Sequence, residues 1–206
     1  MKVLVLGATG RVGSEAVRLT MAAGHRVTAF VRDPSKLVST EGIEIAVGDV
    51  TRPETLSSAL KGMDAVLNAV GVDPLKPSTF VTDSARTIVK TMLEAGVRRY
   101  AAVSGTASMK KTLIGTVATD VLELTPVRHA IKDHQGAFDI VSASTLDWTL
   151  AGCPWIKDGV ATSSYIESDI FPGGMKVIYP GQVADFLTKV LDKPEYYRRI
   201  VGIWNT

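Results

Sequence analysis

The chain has 206 residues, 46% of them hydrophobic and 21% charged, with 23 Lys+Arg against 21 Asp+Glu. That composition excludes global disorder, and a net charge of +2 excludes the broad basic field that nucleic acid or an anionic membrane requires. A single cysteine, Cys153, excludes an intrachain disulfide framework and a cysteine-based zinc site.

Val3-Leu4-Val5-Leu6 is a short, unbroken apolar run ended by Gly7. It predicts a strand buried on both faces, hence the centre of a parallel sheet. The run is too short for a signal peptide, and no stretch reaches the roughly 18 apolar residues of a membrane span, so the chain is expected to be soluble and cytoplasmic. Residues 11–23 read as a helix with Val12, Ala16, Leu19 and Ala23 on one stripe. Strands follow at 26–31 and 43–47, a helix at 53–61 opened by Pro53, and a strand at 65–69. Residues 78–95 form the clearest helix, with Val81, Ala85, Ile88, Val89, Met92 and Leu93 on one face and Gly96 as the stop. A fifth strand spans 99–103. This alternation predicts an α/β fold: a Rossmann-type, doubly wound parallel sheet.

Beyond residue 105 the rhythm changes. Residues 105–127 read as irregular or weakly helical, 127–142 as a helix and 146–150 as a sixth strand. Residues 153–179 are rich in Gly and Pro, with short strands near 160–166 and 176–178. A helix at 183–191 and a strand at 200–204 close the chain. No repeat, linker or composition shift divides it, so residues 1–206 are expected to form one domain. The segments 105–127 and 153–179 are expected to wall a substrate pocket.

Gly7-Ala8-Thr9-Gly10-Arg11-Val12-Gly13 sits between the first strand and the first helix. Gly7 permits the tight turn, Gly10 lets backbone approach a pyrophosphate, and Gly13 lets helix and strand pack closely. The helix end then offers free N–H groups to phosphates. Read structurally, the same glycines make only a turn. The strand–turn–helix context favours dinucleotide binding. Where an NAD site carries an acid at the end of the second strand, this chain has Arg32, which suits the 2′-phosphate of NADP(H). Lys36 and Arg11 add positive charge. Asp33, one residue on, keeps NAD(H) in view. Asp49, in Gly48-Asp49-Val50, either accepts from the adenine amino group or caps a turn; Val50 packs on the adenine ring. Gly71 and Ser104 lie at strand C-terminal ends, where ligands of open α/β sheets bind.

Gly7-Ala8-Thr9-Gly10-x-x-Gly13, Val31-Arg32-Asp33, Gly48-Asp49-Val50 and Ser144-x-Leu146-Asp147-Trp148-Thr149 resemble the atypical short-chain dehydrogenase/reductases with an NmrA-like NAD(P)H-binding domain. Ile156-x-Asp158-Gly159 and Tyr196…Gly202-Ile203 extend the likeness over nearly the whole chain, toward the flavin and biliverdin reductase subgroup. The resemblance implies that Gly7, Thr9, Gly10, Arg11 and Val12 line the pyrophosphate turn. Arg32, Ser35 and Lys36 would hold the 2′-phosphate, and Asp49 with Val50 the adenosine. Gly71, Thr82, Ser104 and His134 would approach the ribose and nicotinamide. The subgroup has a second histidine one turn after the position of His134; here that residue is Phe138.

No tyrosine has a lysine four residues later, so the Tyr-x-x-x-Lys pair that protonates carbonyls is absent. An acceptor that spreads incoming charge by itself fits better: a flavin, quinone or linear tetrapyrrole. His134 shares an inward stripe with Ala130, Ala137, Phe138 and Val141, and is the candidate catalytic side chain together with Ser104; packed into the core, it would be structural only. Asp133, off that stripe, reads as a solvated charge. Cys153 reads as a buried, inert thiol. Pro154, Trp155 and Ile156 are candidates to pack on the nicotinamide. The expectation is an NADPH-dependent reductase of a small aromatic or conjugated acceptor, with no nucleic-acid, membrane or metal partner. The alternatives are a tailoring reductase or oxygenase of aromatic polyketides or quinones, and a non-catalytic redox sensor that binds NADP. Oligomeric state is not fixed by these residues.

Overall fold

The computed structural model describes residues 1–73, 75–159 and 164–206. Strands β1 (Lys2–Leu6), β2 (Arg26–Val31), β3 (Glu44–Val47), β4 (Ala65–Asn68) and β5 (Arg99–Gly105) alternate with helices α1 (Arg11–Ala22), α2 (Pro53–Leu60) and α3 (Phe80–Ala95). Next come a short strand β6 (Lys110–Lys111), helices α4 (Leu113–Glu123) and α5 (Arg128–Ala143), and strand β7 (Asp147–Cys153). The last part holds β8 (Trp155–Ile156), β9 (Tyr165–Ser168), β10 (Ile170–Phe171), β11 (Val177–Ile178), α6 (Pro180–Lys189) and β12 (Arg199–Asn205).

The main sheet has eight strands in the order β3-β2-β1-β4-β5-β7-β12-β9. All neighbours are parallel except β9, which pairs antiparallel on the edge of β12. This is the doubly wound α/β sheet that the βα alternation predicts. Its order reverses between β1 and β4, so the crevice for a ligand opens at their C-terminal ends. Strand alternation divides the core. Val3 and Val5 face α1 and α6 in one cluster, while Leu4 and Leu6 face α2, α3 and α5 in the other. Both faces are covered, which is why these strands are apolar at every position.

Several boundaries differ from the sequence expectation, for physical reasons. Residues 113–123 form a full helix because Thr112 caps it, accepting from the Gly115 amide at 3.2 Å. The last helix starts at Pro180, three residues before the expected 183: Pro suits a first turn, and the Tyr179 amide donates to the Gln182 side chain at 3.2 Å. β7 runs on to Cys153 beside β5, pairing Ser104 with Gly152. Of the strand expected near 160–166, residues 160–163 lie outside the described residues, and β9 begins at Tyr165. Leu93, expected in the core, is exposed at the end of α3.

Arg99 is buried at the start of β5. Its guanidinium donates to the Val190 and Leu191 carbonyls past the end of α6 and to the Thr149 hydroxyl, and it stacks 4.6 Å over the Tyr197 ring. Desolvation lowers its pKa to about 10, still far above neutrality. The charge rests on helix-end carbonyls in place of a carboxylate.

Candidate functional site

The turn between β1 and α1 is built by close backbone contacts. Gly7 has φ +75°, and a Cβ there would sit 2.8 Å from the Ala69 carbonyl group at the end of β4. A Cβ on Gly13 would lie 2.0 Å from the Gly7 oxygen. The Gly10 amide donates to that oxygen at 2.9 Å, and the Ser14 amide donates to Gly10. No side chain caps α1 and its first turn holds no acid, so the positive helix end is left for an anion. Thr9 and Gly10 are exposed, whereas the Val12 side chain is buried in the core and can offer only its backbone. The residues present therefore fit a dinucleotide diphosphate.

Arg11, the first residue of α1, places Nη1 2.7 Å from the Asp158 carboxylate and 3.4 Å from the Ile156 carbonyl. This ties the glycine turn to the segment after β7. The same segment is fixed by the parallel pairing of β8 with β11 and by the Lys157 amide, which donates to Ile178. Pro154 is half-buried at its start.

At the end of β2, Asp33 turns back on its own loop. Its carboxylate accepts from the Ser35 amide at 3.1 Å and the Ser35 hydroxyl at 2.7 Å, and the Lys36 ammonium stands 3.9 Å away. Those Ser35 bonds hold the carboxyl below its ordinary pKa, with Lys36 helping. Arg32 is exposed and makes no hydrogen bond or ion pair among the described residues. Its charge reaches the Asp49 carboxylate through space. Asp49 caps a turn, accepting from the Thr51 amide at 2.9 Å and the Thr51 hydroxyl at 2.8 Å. The Thr51 amide is the main cause of its lowered pKa, with the Thr51 hydroxyl, Arg32 and Arg52 adding to it. Val50 is buried beside Leu56. Gly71 is exposed, with nothing within 4 Å of where a Cβ would stand.

Ser104 and His134 line one small cavity of about 20 Å³, together with Asn68, Tyr100 and Phe138. Ser104 is buried near the end of β5, and the His134 ring carbon Cγ lies 4.0 Å from the position of a Cβ on Gly105. Burial lowers the His134 pKa, with the Asp133 charge opposing in part. The imidazole is therefore neutral at neutral pH. The Asn68 amide donates to the Tyr100 hydroxyl at 2.8 Å, and burial pushes that hydroxyl up to about 12. Sequence reasoning missed this pair because Tyr100 lies on a strand and lacks the lysine partner that marks a catalytic tyrosine.

Asp133 is a correction: it is buried, not solvated. Its carboxylate accepts from the Val81 and Thr82 amides at 3.1 and 2.8 Å, capping α3 from the neighbouring helix. The Thr82 hydroxyl donates to the Asp133 carbonyl at 2.8 Å and abuts Gly136. Thr82 thus sits in the α3–α5 packing, on the flank of the Ser104–His134 cavity. Cys153 is buried, and burial raises its thiol pKa, which keeps it protonated.

A larger cavity of about 200 Å³ lies between α4 and α5, lined by Lys111, Thr119, Asp120, Glu123, Lys132 and Gln135 among others. Part of the segment 105–127 lines it. None of the described residues from 153–179 does; those hold the Arg11 end of the cleft and the edge strand β9. Among the described residues there is no group of three metal-ligating side chains and no helix long and apolar enough to cross a membrane.

Comparison with known proteins agrees with this architecture. The model of a family described as NAD(P)H-binding matches residues 7–194. The chain is 36% identical over 105 residues to an NAD(P)H azoreductase of Xenophilus azovorans, covering 50% of this chain and 35% of that protein. It spans about a third of the length of such curated relatives. A solved structure titled as a putative NAD-dependent epimerase/dehydratase from Bacillus halodurans superimposes with TM-score 0.85 at 23% identity, covering 100% of this chain and 94% of that one. ChuY, titled an anaerobilin reductase, from Escherichia coli O157:H7 gives TM-score 0.80 at 16% identity, covering 100% and 97%.

Proposed function

The chain belongs to the NAD(P)H-binding family, and from that membership we propose that it is an NADPH-dependent oxidoreductase passing hydride to a planar conjugated acceptor. Flavins, quinones, azo compounds and linear tetrapyrroles are the classes in view. The observation that carries the reading is the contrast at the end of β2: Asp33 holds Ser35 on one carboxylate oxygen and has Lys36 3.9 Å from the other, while Arg32 makes no hydrogen bond or ion pair among the described residues.

The bound coenzyme supplies the hydride, and the chain's own residues supply placement. The bare α1 end with Gly10 receives the diphosphate, and Arg32 with Lys36 receives the 2′-phosphate in charge-assisted bonds. Asp49 holds Thr51 on one carboxylate oxygen and would offer the other to the adenosine. Ser104 and the neutral His134 border the C-terminal end of β5. A neutral imidazole is a weak proton donor, so His134 positions and hydrogen-bonds, and solvent completes protonation of an acceptor that delocalises charge. The azoreductase likeness over half of this chain supports that acceptor class.

The test is NADPH oxidation measured beside NADH oxidation, with flavin, naphthoquinone, azo dye and biliverdin as acceptors. Turnover with a marked NADPH preference is expected. Tight NADP binding with no turnover across the panel would make the chain a sensor, and equal use of NADH would remove Arg32 from its role.

A further inference from the structure

Helix α4 is amphipathic with its faces reversed. Leu113, Ile114, Val117, Val121 and Leu124 share one stripe at i, i+1, i+4, i+8 and i+11, and with Leu122 they are between 46% and 82% exposed. The side away from the stripe carries Gly115, the one buried residue of the helix, and Thr119, while Thr116, Asp120 and Glu123 lie exposed along one flank, at the edge of the 200 Å³ cavity. A helix that merely closed a domain would turn the other way, because leaving six aliphatic side chains in water forgoes most of their burial energy. The helix cannot simply roll over. Gly115 is wedged against Gly173, where a Cβ would meet the Phe171 carbonyl oxygen at 2.8 Å, and the Thr112 hydroxyl donates to the Pro172 carbonyl at 2.8 Å. The patch continues past that anchor through Ile170, 49% exposed on the strand paired with Lys110, and Met175, 98% exposed.

We propose that this face is the contact of a symmetric dimer, in which α4 packs antiparallel against α4 of a second copy of this chain. The charge pattern specifies that occupant. Lys110 and Lys111 precede the helix, and Asp120 and Glu123 lie near its end; Lys111 shares the cavity edge with both acids. The Lys111 ammonium donates to the Ala107 carbonyl and keeps further N–H groups to offer. In an antiparallel two-fold pair each edge of the helix meets the same edge of its mate. The basic start of one helix then lies beside the partner's Asp120 and the partner's Glu123, and the two macrodipoles oppose. A parallel arrangement would set like charges together. Scattered surface hydrophobics need no explanation, but a continuous stripe with a rim of both signs matches the apolar core and polar rim of an interface.

Light scattering after size exclusion, run over a range of protein concentrations, tests this. The wild-type chain is expected to be dimeric and Val117→Asp monomeric with its far-ultraviolet circular dichroism retained, since Val117 is exposed in the single chain. The charge contacts across the interface are read from two variants: Asp120→Lys/Glu123→Lys and Lys110→Glu/Lys111→Glu. Each alone is expected to be monomeric, and the two mixed are expected to form a heterodimer. A wild-type monomer at every concentration overturns the proposal, as does a dimer that survives Val117→Asp. A monomer whose α4 amides gain hydrogen-exchange protection only when a conjugated acceptor is added overturns it in favour of a helix that closes on the substrate. The outcome is independent of coenzyme preference, so it stands or falls apart from the functional reading.

Discussion

The Asp33 carboxylate accepts both the amide and the hydroxyl of Ser35 on one oxygen, at 3.1 and 2.7 Å, with Lys36 Nζ 3.9 Å from the other, whereas its neighbour Arg32 is exposed and makes no hydrogen bond or ion pair among the described residues. A guanidinium without partners of its own is available to a phosphate. Arg32→Ala should therefore weaken NADPH binding about 10- to 100-fold, the equivalent of a lost hydrogen bond to a charged group. NADH binding should barely change. Fluorescence titration of both coenzymes checks this, and equal weakening of the two would reassign Arg32.

The glycine turn gives a second outcome with an internal control. At Gly13 a Cβ would meet the Gly7 oxygen at 2.0 Å, and that atom is backbone that also accepts from Gly10. Gly13→Ala must push α1 off β1, so it should cost about 1–3 kcal/mol in stability and abolish tight coenzyme binding. At Gly71 a Cβ meets nothing within 4 Å and φ is ordinary, so Gly71→Ala should leave the melting temperature in place. A Gly13→Ala protein that melts and binds like wild type would mean that α1 tolerates displacement.

The same turn shows what was legible in the sequence. The βα alternation, the strand–turn–helix glycines and Arg32 are local patterns, because a buried strand has to be apolar throughout and a bare helix end has to begin with glycines. Those features, and the fold they imply, were readable. The Asp133 cap on α3 was not, since its partners Val81 and Thr82 lie some fifty positions away in the chain. The Asn68–Tyr100 pair was hidden because it joins two neighbouring strands and Tyr100 has no lysine partner to mark it. The segment holding α4 read as irregular or weakly helical, because a glycine, Gly115, sits in its first turn.

Asp133 supplies a third outcome. Its carboxylate satisfies two amides at the start of α3 that would otherwise be buried without partners. Asp133→Ala should lose about 1–3 kcal/mol, the cost of a lost cap with its donors left unpaired, and Asp133→Asn should recover part of it. Denaturant unfolding of the three proteins is the measurement. If Asp133→Ala unfolds at the wild-type midpoint, the cap carries no energy and α3 is held by packing alone.

His134 makes stability depend on pH with a definite sign. Burial holds its folded pKa below 6.5, with Asp133 offsetting part of the shift. The unfolded chain therefore binds a proton that the folded chain refuses, from 6.5 down to the folded value, and stability falls as pH drops through that window. Above it the contribution is constant. The slope from one such group is at most about 1.4 kcal/mol per pH unit. His25, also lowered by burial and by the nearby N-terminal ammonium, acts in the same direction. His134→Gln removes one of these two contributions and should flatten the stability curve below pH 6.5 without changing it at pH 8. Urea midpoints across that range, with His25→Gln as the companion, separate the two. An unaltered acid limb in His134→Gln would mean that the ring titrates as freely when folded as when unfolded, and the neutral positioning role at the end of β5 would go with it.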